Sequence, residues 1–354
     1  MTDSSGPAGT PSLRTRLIRL AVVLVGVLVL QAGLIAAFVT ATRNPVPHQL
    51  AVAVVGTTRD AVLPSTGAFS VRQVPTVAGA EEAIRHQEVY GALVPASHPA
   101  TLLIASAASP LVAQVLTKAF TASAQPGDGG LAVRDVVPLP ADDPRGVVAP
   151  YLVLGLLIGG YIGAMVIGRL LGMRSSSVGN LGLRLAVLAC YAVLAAAFGV
   201  LLLGPVLGLL HGNALAILAT GALISFAVGC FTSALQTLLG LAGTLLSVIA
   251  LVIIGNPASG GGQIPSAMMP SAWGWLAHVL PNPAGMTAIR GIEFFAGYGT
   301  GQAFLVLTLY AVAGTAVMLV VALVPGAGTR HQASAERAGL TADLIAEAGP
   351  GAML

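Results

Sequence analysis

ALAILATGALISFAVGCFTSALQTLLGLAGTLLSVIALVIIG, residues 214–255, runs for 42 residues without a charged side chain. One continuous helix of that length would be about 63 Å long, twice the hydrocarbon core of a bilayer. The segment must fold back, and the cluster Gln236, Thr237, Gly240 and Gly243 is the natural place for the turn. Two membrane spans are therefore predicted, near residues 214–235 and 238–255. Working outward, the same absence of charge marks four more, at residues 20–41, 151–171 (with Arg169 near its end), 185–210 and 304–324.

Composition agrees. The 354 residues are 56% hydrophobic and 8% charged, far from the roughly 25% charge of a soluble domain. Sixteen basic and 13 acidic residues cannot coat a water-soluble chain of this size. The net charge of +3 is too small to point to nucleic acid. Lys118 is the only lysine and has no glycine-rich loop beside it, so the chain has no Walker A motif. Any ATP-driven work needs a partner. Cys190 and Cys230 both lie in apolar runs without a CxxC neighbour and read as packing residues, with no metal site and no cofactor expected.

Arginine placement orients the spans, because short cytoplasmic loops collect Lys and Arg. Arg14, Arg16 and Arg19 precede the first span, Arg169, Arg174 and Arg184 flank the loop between the second and third, and Arg330 and Arg337 follow the sixth. The connection His211, Gly212, Asn213 has none. Six spans with both termini cytoplasmic in a plasma membrane satisfy this pattern. The first run is longer than the apolar core of a signal peptide and reads as a span.

Residues 43–149 hold 15 of the charges and read as a domain on the outer side. Apolar runs at residues 50–56, 69–74, 89–94, 101–105 and 131–137 predict strands, and residues 78–86 and 110–124 predict helices. Pro138, Pro140, Pro144 and Pro150 predict a stiff connector to the second span. His48, His86 and His98 have no metal-ligand spacing and read as surface histidines, while Asp142 and Asp143 read as a solvated linker. The predicted fold is an α-helical polytopic membrane protein of six transmembrane helices, with an α/β extracytoplasmic domain inserted between the first and second. Its divisions are a basic amphipathic N-terminus (1–19), a helix (20–41), the α/β domain (42–149), a five-helix domain (150–325) and a cytoplasmic tail (326–354). Residues 333–348 of the tail suit a short helix on the membrane surface or a disordered end.

No Asp, Glu, Lys or His falls inside a predicted span, which argues against a proton-coupled antiporter and an intramembrane hydrolase. No catalytic constellation is found, so an enzyme is not expected. Gly155, Gly159 and Gly163 recur every four residues, a spacing that lets helices approach within one subunit or across a dimer seam. Ser225, Ser233 and Gln236 form a weakly polar stripe with Gly229, suited to interhelical hydrogen bonds or to lining a substrate path. Gln31, mid-span in the first helix, belongs with them, since a buried amide needs a partner. Residues 256–302 contain Pro257, Pro265, Pro270, Pro281 and Pro283 between apolar stretches too short to cross. They predict re-entrant or interfacial helices, with Trp273 and Trp275 at headgroup depth and a local Arg290–Glu293 ion pair.

The stretches SALQTLLGLAGTLLSVIALVIIGNPASGG (233–261) and IPSAMMPSAWGWLAHVLPNPAGMTAIRGIEFF (264–295), with this order of spans, resemble the ABC type-2 transporter permeases, within them the YhgE/Pip-like (phage-infection-protein-like) branch. The resemblance implies an exporter subunit for a lipophilic or amphipathic substrate, paired with a second copy or another permease. It also implies a separate ATPase that contacts the loop of Arg169, Arg174 and Arg184. The alternative is an ATPase-independent envelope scaffold or receptor-like protein, since secretion-associated and phage-receptor-like proteins share the branch.

Overall fold

The computed structural model describes residues 13–56, 67–95, 99–123, 130–175 and 177–324. His98 and the tail at 333–348 lie outside these residues. Among these described residues, six helices are long and apolar enough to cross a membrane, the pattern of a multi-pass membrane protein.

The chain begins with α1 (Leu13–Thr42), then forms a five-stranded domain. Its elements are β1 (Leu50–Val55), β2 (Phe69–Val74), α2 (Val77–Arg85), β3 (Gly91–Val94), β4 (Ala100–Ile104), α3 (Pro110–Ser123) and β5 (Leu131–Asp135). All five predicted strands and both helices are present. The strand order is β2-β1-β3-β4-β5, parallel except for the β3–β4 pair. Side chains alternate between two cores, as the period of two requires. Ala53, Ala92, Val94 and Leu103 pack with Ala80 and Ile84 of α2, while Val52, Leu93, Leu102 and Ile104 pack with Val112, Leu116 and Phe120 of α3. Thr76 starts α2 by accepting a hydrogen bond from Gly79 N at 3.1 Å.

The bundle follows: α4 (Val148–Leu170), α5 (Val178–Leu201) ending in π-helical turns at Leu202–Val206, and α6 (Ala214–Leu239). Next come α7 (Leu241–Val248), which continues through π-helical Ile249–Gly255 into the single turn α8 (Asn256–Ala258), then α9 (Ser271–Val279), α10 (Pro281–Phe294) and α11 (Gly301–Leu323). The fold-back of the opening segment occurs at Gly240, whose φ of 61° ends α6 and begins α7. A Cβ on Gly243 would fall 1.9 Å from Leu235 O, so the returning helix starts against the last turns of the outgoing one.

α6 is the centre of the bundle, and its partners approach through missing side chains. A Cβ on Gly160 of α4 would lie 2.6 Å from Ser225 O, and one on Gly314 of α11 would lie 2.7 Å from Cys230 O. On α6 itself, Gly229 receives Leu188 of α5 and Gly221 receives Ala196 of α5 and Leu156 of α4. The expected glycine stripe divides otherwise: Gly159 and Gly163 seat the Tyr191 ring of α5, and Gly155 has no neighbour within 4 Å. The closest backbone approach of α4 thus falls one residue from the predicted face, at Gly160.

Three further expectations are corrected. Gln31 is exposed on α1 rather than buried with an amide partner. α1 touches the rest of the bundle mainly near its C-terminal end, where Ala41 is buried and Gly33 meets Ile253. Asp143 is no solvated linker residue: it is 5% exposed and accepts hydrogen bonds from Val147 N and Val148 N, fixing the start of α4. His86 stacks on Tyr298 with ring centroids 4.0 Å apart, tying α2 to the segment between α10 and α11.

A Gly160→Val variant should lower the apparent melting temperature in mild detergent, corresponding to about 1–3 kcal/mol of overpacking against rigid backbone. Gly155→Val, with open space around it, should leave that temperature within error of the unsubstituted protein.

Candidate functional site

The bundle and the sheet domain meet at α10. Pro281 and Pro283 open this helix where a missing N–H is harmless, and Asn282 between them donates to Leu251 O at 2.8 Å and Asn256 Oδ1 at 2.7 Å. Asn282 therefore satisfies a carbonyl in the π-helical stretch of the fifth span, and Gly255 leaves room for it. The start of α10 reaches into the bundle: a Cβ on Gly285 would touch Val153 of α4 and Ile224 of α6. Ile224 lies about 15 Å along α6 from its first residue at 1.5 Å per residue. From there α10 climbs back until Glu293 meets Gly212, before α6 begins. With α9 it forms a helical hairpin within residues 256–302, whose second helix packs against α4 and α6.

Two aromatic residues and a methionine from this region complete the sheet domain. Phe294 and Phe295 join the α2 core, and Met268 joins the α3 core on the other face of the sheet. Between these anchors lies Arg290, 9% exposed. Its Nη1 donates to Ala108 O at 3.1 Å and Gly262 O at 2.8 Å, and its Nη2 donates to Gly146 O at 3.2 Å. One guanidinium thus joins the sheet domain, the loop before α9 and the connector before α4. The loop offers its carbonyl because Gly260, Gly261 and Gly262 all have positive φ, a backbone that side-chain-bearing residues rarely adopt. The following residue adds to the junction, with Gln263 O accepting from Ser109 Oγ at 2.7 Å and Gln263 Nε2 donating to Arg145 O at 3.1 Å.

The predicted Arg290–Glu293 ion pair is replaced by these bonds to carbonyls, because three converging backbone acceptors already hold the guanidinium. Burial lowers the Arg290 pKa to about 10, with nearby Asp143 and Glu293 opposing the shift, so Arg290 stays charged at neutral pH. Burial raises the Glu293 pKa, countered chiefly by a hydrogen bond from the His211 backbone. Glu293 Oε2 is buried without a partner. His211 Nε2 lies 3.3 Å from Asp142 Oδ2, so the connection between the third and fourth spans also meets the sheet-domain connector.

A cavity of about 260 Å³ opens beside Arg290, between α2, the loop before α9, and helices α9, α10 and α11. It was not legible in the sequence, since its lining comes from segments far apart in the chain. The single basic residue, Arg290, in a proline-rich apolar stretch is the one signal of it.

The predicted substrate-path residues lie elsewhere. Ser225, Ser233 and Gln236 are all buried on α6, brought together by that helix, whereas Gln31 stands apart on α1. Ser225 Oγ and Ser233 Oγ have no hydrogen-bond partner. Gln236 accepts from Arg184 Nη2 at 3.1 Å and donates to Thr244 Oγ1 at 3.2 Å, linking α5, α6 and α7 at the end of the bundle away from the sheet. Of the three arginines expected to meet an ATPase, Arg184 is 1% exposed and also donates to Gly172 O and Met173 O. Arg174 caps α6 through Thr237 O and Leu238 O, and Arg169 is exposed. Arg184 lies within α5, which begins at Val178, earlier than predicted. Its polar partners make that burial tolerable.

Comparison with protein families, curated proteins and solved structures finds no match.

Because the folded protein holds the Glu293 proton to higher pH than the unfolded chain, this residue's contribution to stability is lost as pH rises above about 4.3, the ordinary Glu value. Glu293→Gln removes that loss. Melting temperatures measured from pH 4 to 7 in detergent should show the variant gaining on the unsubstituted protein as pH rises above the unfolded value, and keeping that gain once the folded carboxyl has ionised.

Proposed function

We propose that the chain is the membrane permease subunit of an exporter that moves a lipophilic or amphipathic substrate outward, powered by a separate ATPase and acting as a homodimer or with a paired permease. The observation that carries this reading is the α9–α10 hairpin, whose α10 sits in the bundle at one end and is locked to the sheet domain through Arg290 at the other. A tilt of the spans around α10 would be passed to the sheet domain without a flexible joint. The stretches that carry the resemblance to ABC type-2 permeases form the end of α6, the fold-back at Gly240 and this hairpin. Arg169, Arg174 and Arg184 lie at the end opposite the sheet, which the preference of arginine for cytoplasmic loops makes the inner end. The sheet domain is then extracytoplasmic, and both termini are cytoplasmic in the plasma membrane.

A second reading, an ATPase-independent scaffold presenting the sheet domain, is favoured by one observation. Arg184 and Arg174 are engaged with carbonyls of their own chain, which leaves Arg169 as the uncommitted arginine of the three.

The two readings separate on purification of the full chain from its native membrane in mild detergent. An exporter brings down a Walker A protein in stoichiometric amount, and outward movement of an NBD-labelled phospholipid in cells depends on the chain and is stopped by vanadate. No such ATPase, with lipid movement unchanged when the chain is deleted, would leave the scaffold.

A further inference from the structure

The walls of the cavity beside Arg290 carry donors but no acid. Gln87, Tyr90, Ser109, His278, Thr287 and Gln302 supply polar groups, and among the described residues of the lining Arg290 is the only Lys or Arg and there is no Asp or Glu. Asp143 and Glu293, which act on Arg290 through space, are not part of the wall. An ammonium group would find no carboxylate there and only the rings of Tyr90 and His278, too few for an aromatic cage. An anion would find a guanidinium with only three of its five N–H groups engaged, and Arg290 Nε is buried without a partner. The guanidinium charge at the cavity wall suits a phosphate.

Apolar lining comes from Ala277 of α9, Ala284 and Met286 of α10, and Ala303 and Val306 of α11. At about 260 Å³ the space is smaller than the roughly 300–1,000 Å³ of a site that encloses a drug-sized ligand. It fits the head of an amphiphile and not its chains. α9 has no buried residue and turns Trp275 outward, 65% exposed, as aromatic residues do at headgroup depth.

We infer that this cavity binds the phosphate-bearing polyol head of an anionic amphiphile, the phosphate beside Arg290 and the hydroxyls toward Gln87, Ser109 and Gln302, with the chains outside the cavity beyond α9 and α11. The inference rests on the proposed reading only in placing the cavity at the outer membrane surface. It requires neither an ATPase nor transport, so it stands or falls separately from the exporter.

The test uses the full chain in nanodiscs of dioleoylphosphatidylcholine, titrated with short-chain phosphatidylglycerol, short-chain phosphatidylcholine or soluble glycerol phosphate, and read by tryptophan fluorescence and native mass spectrometry. Phosphatidylglycerol should bind saturably and about tenfold more tightly than phosphatidylcholine, a gap of about 1.4 kcal/mol. Gln302→Glu puts a carboxylate on the rim in the first turn of α11, where an acid suits the helix. It should abolish that preference without lowering the melting temperature, and Gln302→Lys should strengthen it. Equal binding of glycerol phosphate would keep the head chemistry and assign it to a free phosphate ester; weaker binding would assign it to a lipid. Equal binding of both lipids, no binding, or a preference unchanged in Gln302→Glu would overturn the inference.

Discussion

A buried guanidinium needs acceptors to offset its lost hydration, and the arrangement around Arg290 follows from that constraint. Three carbonyls, from Ala108, Gly146 and Gly262, come from parts of the chain that would otherwise be free to move independently. Each had to be brought to one point. The glycine triplet supplies the loop conformation for one, and Asp143, by capping α4, fixes the connector that supplies another. Phe295 and Met268 then close the two cores of the sheet domain from outside it. The sheet domain is therefore a part of the bundle's surface, completed by residues more than a hundred positions away.

Within the bundle the organising device is different, because lipid gives helices no hydrophobic reason to associate. Close approach at Gly160, Gly221, Gly229 and Gly314 lets α4, α5 and α11 surround α6. Small hydroxyl residues follow from the same need: Ser225 and Ser233 take little space where neighbouring backbone comes near. Their burial fits interhelical packing in a single copy, while a path through this stripe would require the helices around α6 to separate. Such a separation would move α10, which packs on α6 below the Arg290 junction.

Much of the fold was legible in the sequence because hydrocarbon imposes a length and an absence of charge that no other environment does. Helix length alone required a fold-back, the cluster from Gln236 to Gly243 placed it near Gly240, and alternation and turn residues placed the strands. The site was far less legible. Arg290 and Glu293 looked like a pair because a helix places them on adjacent turns, but local spacing says nothing about carbonyls arriving from residues 108, 146 and 262. Asp143 looked solvated beside Asp142 and Pro144, since only the structure shows that it reaches the N-terminus of α4. Gln31 failed for the opposite reason: a polar residue in an apolar run suggests a partner, yet α1 packs mainly through its far end. Arg184 reads as a loop residue because the uncharged run begins after it, whereas α5 starts earlier, at Val178.

The central claim is that the sheet domain and the bundle form one body joined at Arg290. Pulsed electron paramagnetic resonance tests it most directly, using spin labels at Ser70 on the exposed face of β2 and at Leu207 beside the third span, in a chain with Cys190 and Cys230 replaced by alanine. The account predicts one narrow distance distribution in lipid nanodiscs, broadened when Arg290→Ala is added. A broad distribution with Arg290 intact, or one that stays narrow without it, would contradict the account.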